Sequence, residues 1–219
     1  MAANQIHLVR HGEVFNPDRV LYGRIPGYGL SERGHQMAKL AADDLVARGR
    51  TVARLIASPL QRAQESAAPI AAALGHHIDT EERIIEPTNH FEGKRMRGEN
   101  SALKDPANWR YLLNPFRPSW GEPYRSIANR MLAAMTEAAL DVESGDVVMV
   151  SHQLPIWMVH RAVARKPFIH DPRHRRCALS SITTFELIDA DRPELGFREV
   201  GYANPARVLN ENALDVGAV

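Results

Sequence analysis

Short apolar runs alternate with helical patterns along most of the chain, and this alternation constrains the fold more than any other feature. Ile6–Val9, Val52–Ala57 and Val147–Val150 read as buried strands, and Ile78 as part of a short third strand between the last two. A first helix is predicted from Ser31, a good N-cap with Glu32 in the first turn. Its apolar positions Met37, Ala38, Ala41 and Leu45 recur at helical spacing, and Gly49 stops it. A second is predicted to begin with Ser58 as N-cap and Pro59 at the first helical position. Its apolar face is Ala63, Ala67, Ile70, Ala71 and Leu74; Gly75 ends it, and Pro69 is expected to kink or divide it. Tyr124 to Glu143 carries the stripe Ile127, Met131, Ala134, Met135, Ala138 and Val142, and Pro155 opens a further helix to about Ala164. Ser181–Leu187 and Phe197–Val200 read as a hairpin-like pair of strands. Strands alternating with helices specify an α/β fold with a mostly parallel sheet covered on both faces.

The chain of 219 residues suits one α/β domain over 1–219. Periodicity is lost from Lys94 to Glu122, so an inserted, lid-like excursion is expected at about 94–122, with a short helix around Ala107 to Leu112. With 44% hydrophobic and 24% charged residues the class is soluble and globular. A net charge of +1 provides no global field for nucleic acid or membrane, so neither partner is expected and any anion preference is local. The lone Cys177 excludes an intrachain disulfide and fits a reducing, cytoplasmic compartment. It reads as structural, although the adjacent Arg175 and Arg176 could lower its pKa. The first residues lack signal-peptide features, and no run reaches transmembrane length. Oligomeric state is not readable.

The chemistry lies where strands end. Arg10-His11-Gly12, Arg62 and His152 each follow a predicted strand, and parallel strands would bring all three to one sheet edge, where ligands of such folds bind. Two His and two Arg at one edge ask for an oxyanion. A neutral imidazole is a competent nucleophile and a guanidinium matches phosphate oxygens, which points to phosphoryl transfer through a phosphohistidine. An isolated Arg-His-Gly would more simply be a polar strand end. Asn16 and Arg24 sit in the Pro- and Gly-rich loop 13–29, within reach of an anion near His11. Lys94, Arg95 and Arg97 could select substrate charge or simply be solvated. In the basic loop His170–Arg176, the pair His170 and His174 invites a metal reading, but Pro172 forbids a regular helical pair and the Arg residues repel a cation.

Arg10-His11-Gly12-Glu13, Leu30-Ser31-Glu32-Arg33-Gly34, Ser58-Pro59-Leu60-Gln61-Arg62-Ala63-Gln64-Glu65-Ser66-Ala67 and Ser151-His152 together resemble the histidine phosphatase superfamily, branch 1, also called phosphoglycerate-mutase-like. The matches run in family order over roughly residues 5 to 155. The resemblance implies a three-layer α/β/α sandwich with a mostly parallel central sheet. It implies His11 as the nucleophile that becomes phosphorylated, with Arg10, Arg62 and His152 holding phosphoryl oxygens. Asn16, the backbone near Gly23 and Gln153 would complete the substrate site, and Glu86 matches the family's acid in chain position, with Glu92 and Glu13 in reserve. Val14 stands where Ser or Thr is usual, Gln153 where Gly often follows the second His, and the stretch from Glu86 to Phe91-Glu92-Gly93 is one residue short.

The physics of these roles is consistent. Arg10 and Arg62 disfavour a further positive charge and keep His11 neutral, while a carboxyl beside a dianion has its pKa raised and can carry a proton near neutrality. No metal or other cofactor is called for, since guanidinium and imidazolium groups can stabilise the equatorial oxygens. The expected activity is a phosphomonoesterase acting on a small phosphorylated metabolite. The rivals are a phosphoglycerate mutase using the same histidine, a non-catalytic protein binding a phosphorylated ligand, and a metallohydrolase, for which no ligand constellation is visible.

Overall fold

The computed structural model describes residues 2–96, 98–112 and 120–215; Arg97, Pro115 and Pro118 of the excursion lie outside them. In chain order the elements are β1 (Ile6–Arg10), α1 (Glu32–Ala47), β2 (Val52–Ala57), α2 (Gln61–Leu74), β3 (Asp79–Thr80), α3 (Tyr124–Leu140), β4 (Asp146–Ser151), α4 (Gln153–Val163), β5 (Ile182–Leu187), β6 (Phe197–Ala203) and the single turn α5 (Arg207–Asn210). The strands form one sheet in the order β3-β2-β4-β1-β5-β6. The first four are mutually parallel, while β5 and β6 add antiparallel at the β1 side.

Strand alternation sorts side chains to two apolar layers. Val9, Leu55, Val148 and Val150 face α1 and α2, where Ala41, Leu45, Ala63, Ala67 and Ile70 close the layer. Leu8, Ile56, Val147 and Met149 face the other way, onto Met131, Met135 and Ala138 of α3 and Ile156 and Val159 of α4. The α/β/α layering follows from this sorting, and both central strands, β1 and β4, are buried along their whole length. Among the described residues no helix is long and apolar enough to cross a membrane.

Two local expectations need correction. Ser58 does not cap α2: the helix starts at Gln61 behind Leu60, which makes no side-chain cap. Ser58 instead prolongs β2, its N–H donating to the Val150 carbonyl, and its hydroxyl lies against His152 Nε2, away from the helix start. Pro69 does not divide α2, which runs through it to an αL cap at Gly75. The excursion is closed at its base, where Asn89 bridges Gly121 and the Glu122 N–H donates to the Thr88 carbonyl. Within it Pro106–Leu112 forms a 3-10 helix, and Ala102 packs with Phe91 and with Leu21 of the 13–29 loop.

Candidate active site

The carboxyl ends of β1, β2 and β4 lie side by side, and the side chains that follow them converge. Arg10 ends β1 and His11 continues it, its N–H donating to the Ser151 carbonyl at 3.1 Å. The turn at Gly12 passes so close to α1 that a Cβ there would lie 2.4 Å from the Gly34 carbonyl oxygen. Its N–H donates to Ser66 Oγ, and that hydroxyl donates to the Arg62 carbonyl, joining the turn after His11 to the first turns of α2.

His11 Nδ1 lies 2.7 Å from the Gly12 carbonyl. A carbonyl only accepts, so Nδ1 carries the hydrogen and Nε2 keeps its lone pair. Burial, then Arg62 and Arg10, hold the His11 pKa well below the usual value. His152 is buried with its ring centroid 5.2 Å from that of His11. Its Nε2 lies 2.8 Å from Ser58 Oγ, and its Nδ1 lies 3.6 Å from Glu86 Oε2. Burial, Arg62 and His11 likewise hold His152 neutral.

Arg62 crosses the Tyr22 ring at 4.7 Å and donates from Nη2 to the Gly23 carbonyl at 2.8 Å. Arg10 donates from its terminal nitrogens to the Cys177 carbonyl and to the Asp215 carboxylate. Both guanidiniums are buried, and Arg10 Nε, Arg62 Nε and His152 Nδ1 have no hydrogen-bond partner among the described residues. The two guanidinium Nε–H groups, and His152 Nδ1 when its Nε2 accepts from the Ser58 hydroxyl, are costly to bury unless something accepts from them. A tetrahedral oxyanion would.

Glu86 follows a 3-10 turn, Glu82–Ile84, that is tied to the end of β4 by the Ser151 hydroxyl donating to the Ile84 carbonyl. Arg24 donates from Nε to the Glu86 carbonyl at 2.6 Å, so it steadies the Glu86 backbone. Burial raises the Glu86 pKa, against the lowering effects of Arg62, Arg10 and Arg175. His11, Glu86 and His152 offer ligand atoms within 4.8 Å of one another, the one grouping among the described residues that could hold a metal ion. The guanidiniums of Arg10 and Arg62 in the same pocket oppose a cation there and suit an anion.

The other expected site residues have distinct places. The Asn16 amide closes its own loop, donating to the Val20 carbonyl and accepting from the Val20 N–H. Gly23 presents its carbonyl, to Arg62. Gln153 opens α4 and accepts from Arg175 Nη1 at 3.1 Å. Of the reserve acids, Glu13 accepts from Ser31, Arg33 and the Leu214 N–H, and Glu92 accepts from the Asn89 N–H. Lys94 reaches Asn108, and Arg95 donates to the Asp18 carbonyl. Cys177 is buried, and burial pushes its thiol up to about 11 despite Arg10 and Arg175. In the basic loop, His170 accepts from Arg175 and His174 is exposed.

Ser58, Arg175 and Asp215 are the neighbours that sequence reasoning missed. Ser58 carries a signal, its place directly after a strand, that its suitability as a cap obscures. Asp215 lies beyond any periodic pattern.

The family model of the histidine phosphatase superfamily (branch 1) matches residues 6–196. The uncharacterized protein Rv0525 of Mycobacterium tuberculosis is 48% identical over 202 residues, covering 92% of this chain and 96% of that protein. Phosphoserine phosphatase 1 of Hydrogenobacter thermophilus is 33% identical over 163 residues, covering 71% and 74%. Among solved structures, YhfR of Bacillus stearothermophilus superposes with a TM-score of 0.73 at 23% identity, covering 91% of this chain and 96% of that one.

Proposed function

From the premise that the chain belongs to the histidine phosphatase superfamily, branch 1, we propose that it is a metal-independent phosphomonoesterase acting through a phosphohistidine at His11 on a small phosphorylated metabolite. The observation that carries this reading is a neutral His11, its Nδ1 fixed on the Gly12 carbonyl, facing buried donors of Arg10, Arg62 and His152 that have no protein acceptor among the described residues.

In this reading the phosphoryl oxygens accept from Arg10, Arg62 and His152. His11 Nε2 attacks phosphorus as the bond to the ester oxygen breaks, and Glu86 gives its proton to the departing alkoxide. Water then attacks the phosphorus of phosphohistidine, Glu86 takes the water's proton, and the bond to Nε2 breaks to release phosphate and restore neutral His11. The positive field of the two guanidiniums stabilises the charge spread over the equatorial oxygens. The same centre would serve a mutase if the phosphoryl group returned to the substrate instead of to water.

His11→Ala tests the reading. The variant should keep its fold and lose turnover of p-nitrophenyl phosphate by on the order of 10³-fold or more. Rapid quenching of the wild type with labelled substrate should trap a base-stable, acid-labile phosphoprotein that the variant cannot form. Unimpaired turnover by the variant defeats the proposal. Assay of 3-phosphoglycerate with and without 2,3-bisphosphoglycerate separates the acceptors: phosphate release supports the phosphatase, and cofactor-dependent isomerisation without release identifies the mutase.

A further inference from the structure

We infer that Asp215 is a positioning residue: it grips the outer end of the Arg10 guanidinium so that the remaining edge meets the phosphoryl group. The inference rests on the reading in which Arg10 holds that group.

A guanidinium has five N–H donors in a fixed plane. Arg10 Nη1 donates to the Cys177 carbonyl at 2.7 Å and to Asp215 Oδ2 at 2.8 Å. Arg10 Nη2 donates to Asp215 Oδ1 at 2.5 Å. The carboxylate thus takes the end-on fork, and the carbonyl takes the outer Nη1 hydrogen. What remains is the edge formed by Nε and the second Nη2 hydrogen, and Nε is buried without an acceptor among the described residues. Carboxylate and phosphoryl group therefore use different hydrogens, which makes Asp215 an aid to anion binding and not a rival for it. Two parallel charge-assisted bonds also fix the plane of the guanidinium, so its remaining edge is aimed before a ligand arrives.

The carboxylate is itself held in place. The segment that follows β6 packs Leu209 and Ala213 against Met37, Leu179 and Ala206. The Leu214 N–H donates to Glu13 Oε1 at 2.7 Å, and Arg33 Nη1 donates to the Asn212 carbonyl at 2.5 Å. Glu13 and Arg33 belong to the two motifs that build the nucleophile turn. Asp215 thus arrives at Arg10 braced against the frame that sets His11. Burial works against the charge on Arg10, and Asp215 overcomes it, raising the Arg10 pKa above its ordinary value. Some 34% of the Asp215 side chain stays exposed, so the carboxylate retains part of its hydration while neutralising a buried cation.

The test is Asp215→Asn, a near-isosteric change that removes the charge and one acceptor of the fork. With the thermal midpoint checked, kcat/KM for p-nitrophenyl phosphate should fall on the order of 10- to 100-fold. Competitive inhibition by vanadate should weaken in parallel, a change that a merely structural role would not produce in a folded variant. An unchanged kcat/KM and vanadate Ki would show that the contact is idle. A higher kcat/KM with tighter vanadate binding would show that the carboxylate competes for the anion site. Both results overturn the inference. If the wild type turns over no phosphomonoester, the catalytic reading fails by itself. Calorimetry with inorganic phosphate then still reads Asp215, which requires weaker binding by the Asn variant; equal or tighter binding overturns the inference.

Discussion

A carboxyl can hand a proton to a leaving oxygen only if it still holds one near neutrality, and the surroundings of Glu86 favour that state. Its burial raises the pKa against the opposing pull of Arg62 and Arg10. Glu86→Gln should slow hydrolysis of alkyl phosphates by on the order of 10²-fold or more and slow aryl phosphates far less, since their leaving groups need little protonation. An equal loss for both would move the role to Glu92 or Glu13, although Glu13 is already engaged by Ser31, Arg33 and Leu214. At this scale the sequence was readable wherever a side chain sits next to a strand end. Arg10, His11 and His152 needed only the direction of their strands, and Arg62 only its position in the first turns of a helix. Ser58 fits a cap by residue type, but its partners Val150 and His152 lie more than ninety positions away, where no local pattern reaches. Cys177 reads as structural and is buried; its Arg neighbours are visible in sequence, whereas the burial that outweighs them is not. Asp215 was beyond reach because its partner lies 205 positions away, in a contact that no local pattern encodes.

The loop after β1 and the start of α1 are fitted to each other through two glycines. A Cβ at Gly34 would lie 2.0 Å from the Glu13 carbonyl oxygen, and one at Gly12 2.4 Å from the Gly34 carbonyl oxygen. Both obstacles are backbone, which cannot swing aside as a side chain would. Gly34→Ala should therefore cost about 1–3 kcal/mol of stability and also lower activity, because the displaced backbone adjoins Gly12 and His11. Denaturant titration beside a turnover assay checks both; a variant unchanged in either would show that the loop yields freely. The elements themselves were legible, since the apolar stripes of α1, α2 and α3 keep a 3.6-residue period and Pro155 marks the start of α4. Sheet order was not. Nothing local to Ile6–Arg10 specifies that β4 lies on one side and an antiparallel β5 on the other.

For the whole molecule, the grouped imidazoles set a pH dependence of stability. Burial holds His11 and His152 well below their usual pKa and brings His170 down to about 4. Below roughly pH 6.5 the unfolded chain binds protons at these residues that the folded chain refuses, so stability falls as pH falls, by at most about 1.4 kcal/mol per pH unit for each fully buried group. Glu86 has the opposite sign: its raised pKa adds stability at low pH that fades as pH rises through the raised value. The histidines outnumber it, so the thermal midpoint should drop from pH 7 to pH 5, less steeply in His11→Ala. A flat profile over that window would contradict this account. The central place of β1 bears also on how the chain is made. Ile6 pairs with Val147 on one side and with Phe185 on the other, both more than a hundred positions later. At a synthesis rate of roughly 5–20 residues per second, β1 waits on the order of ten seconds outside the ribosome before β4 emerges to cover its edge. During that interval the nascent chain carries an apolar strand with both edges bare, a site for chaperones or for a neighbouring polysome, and no catalytic pocket at all.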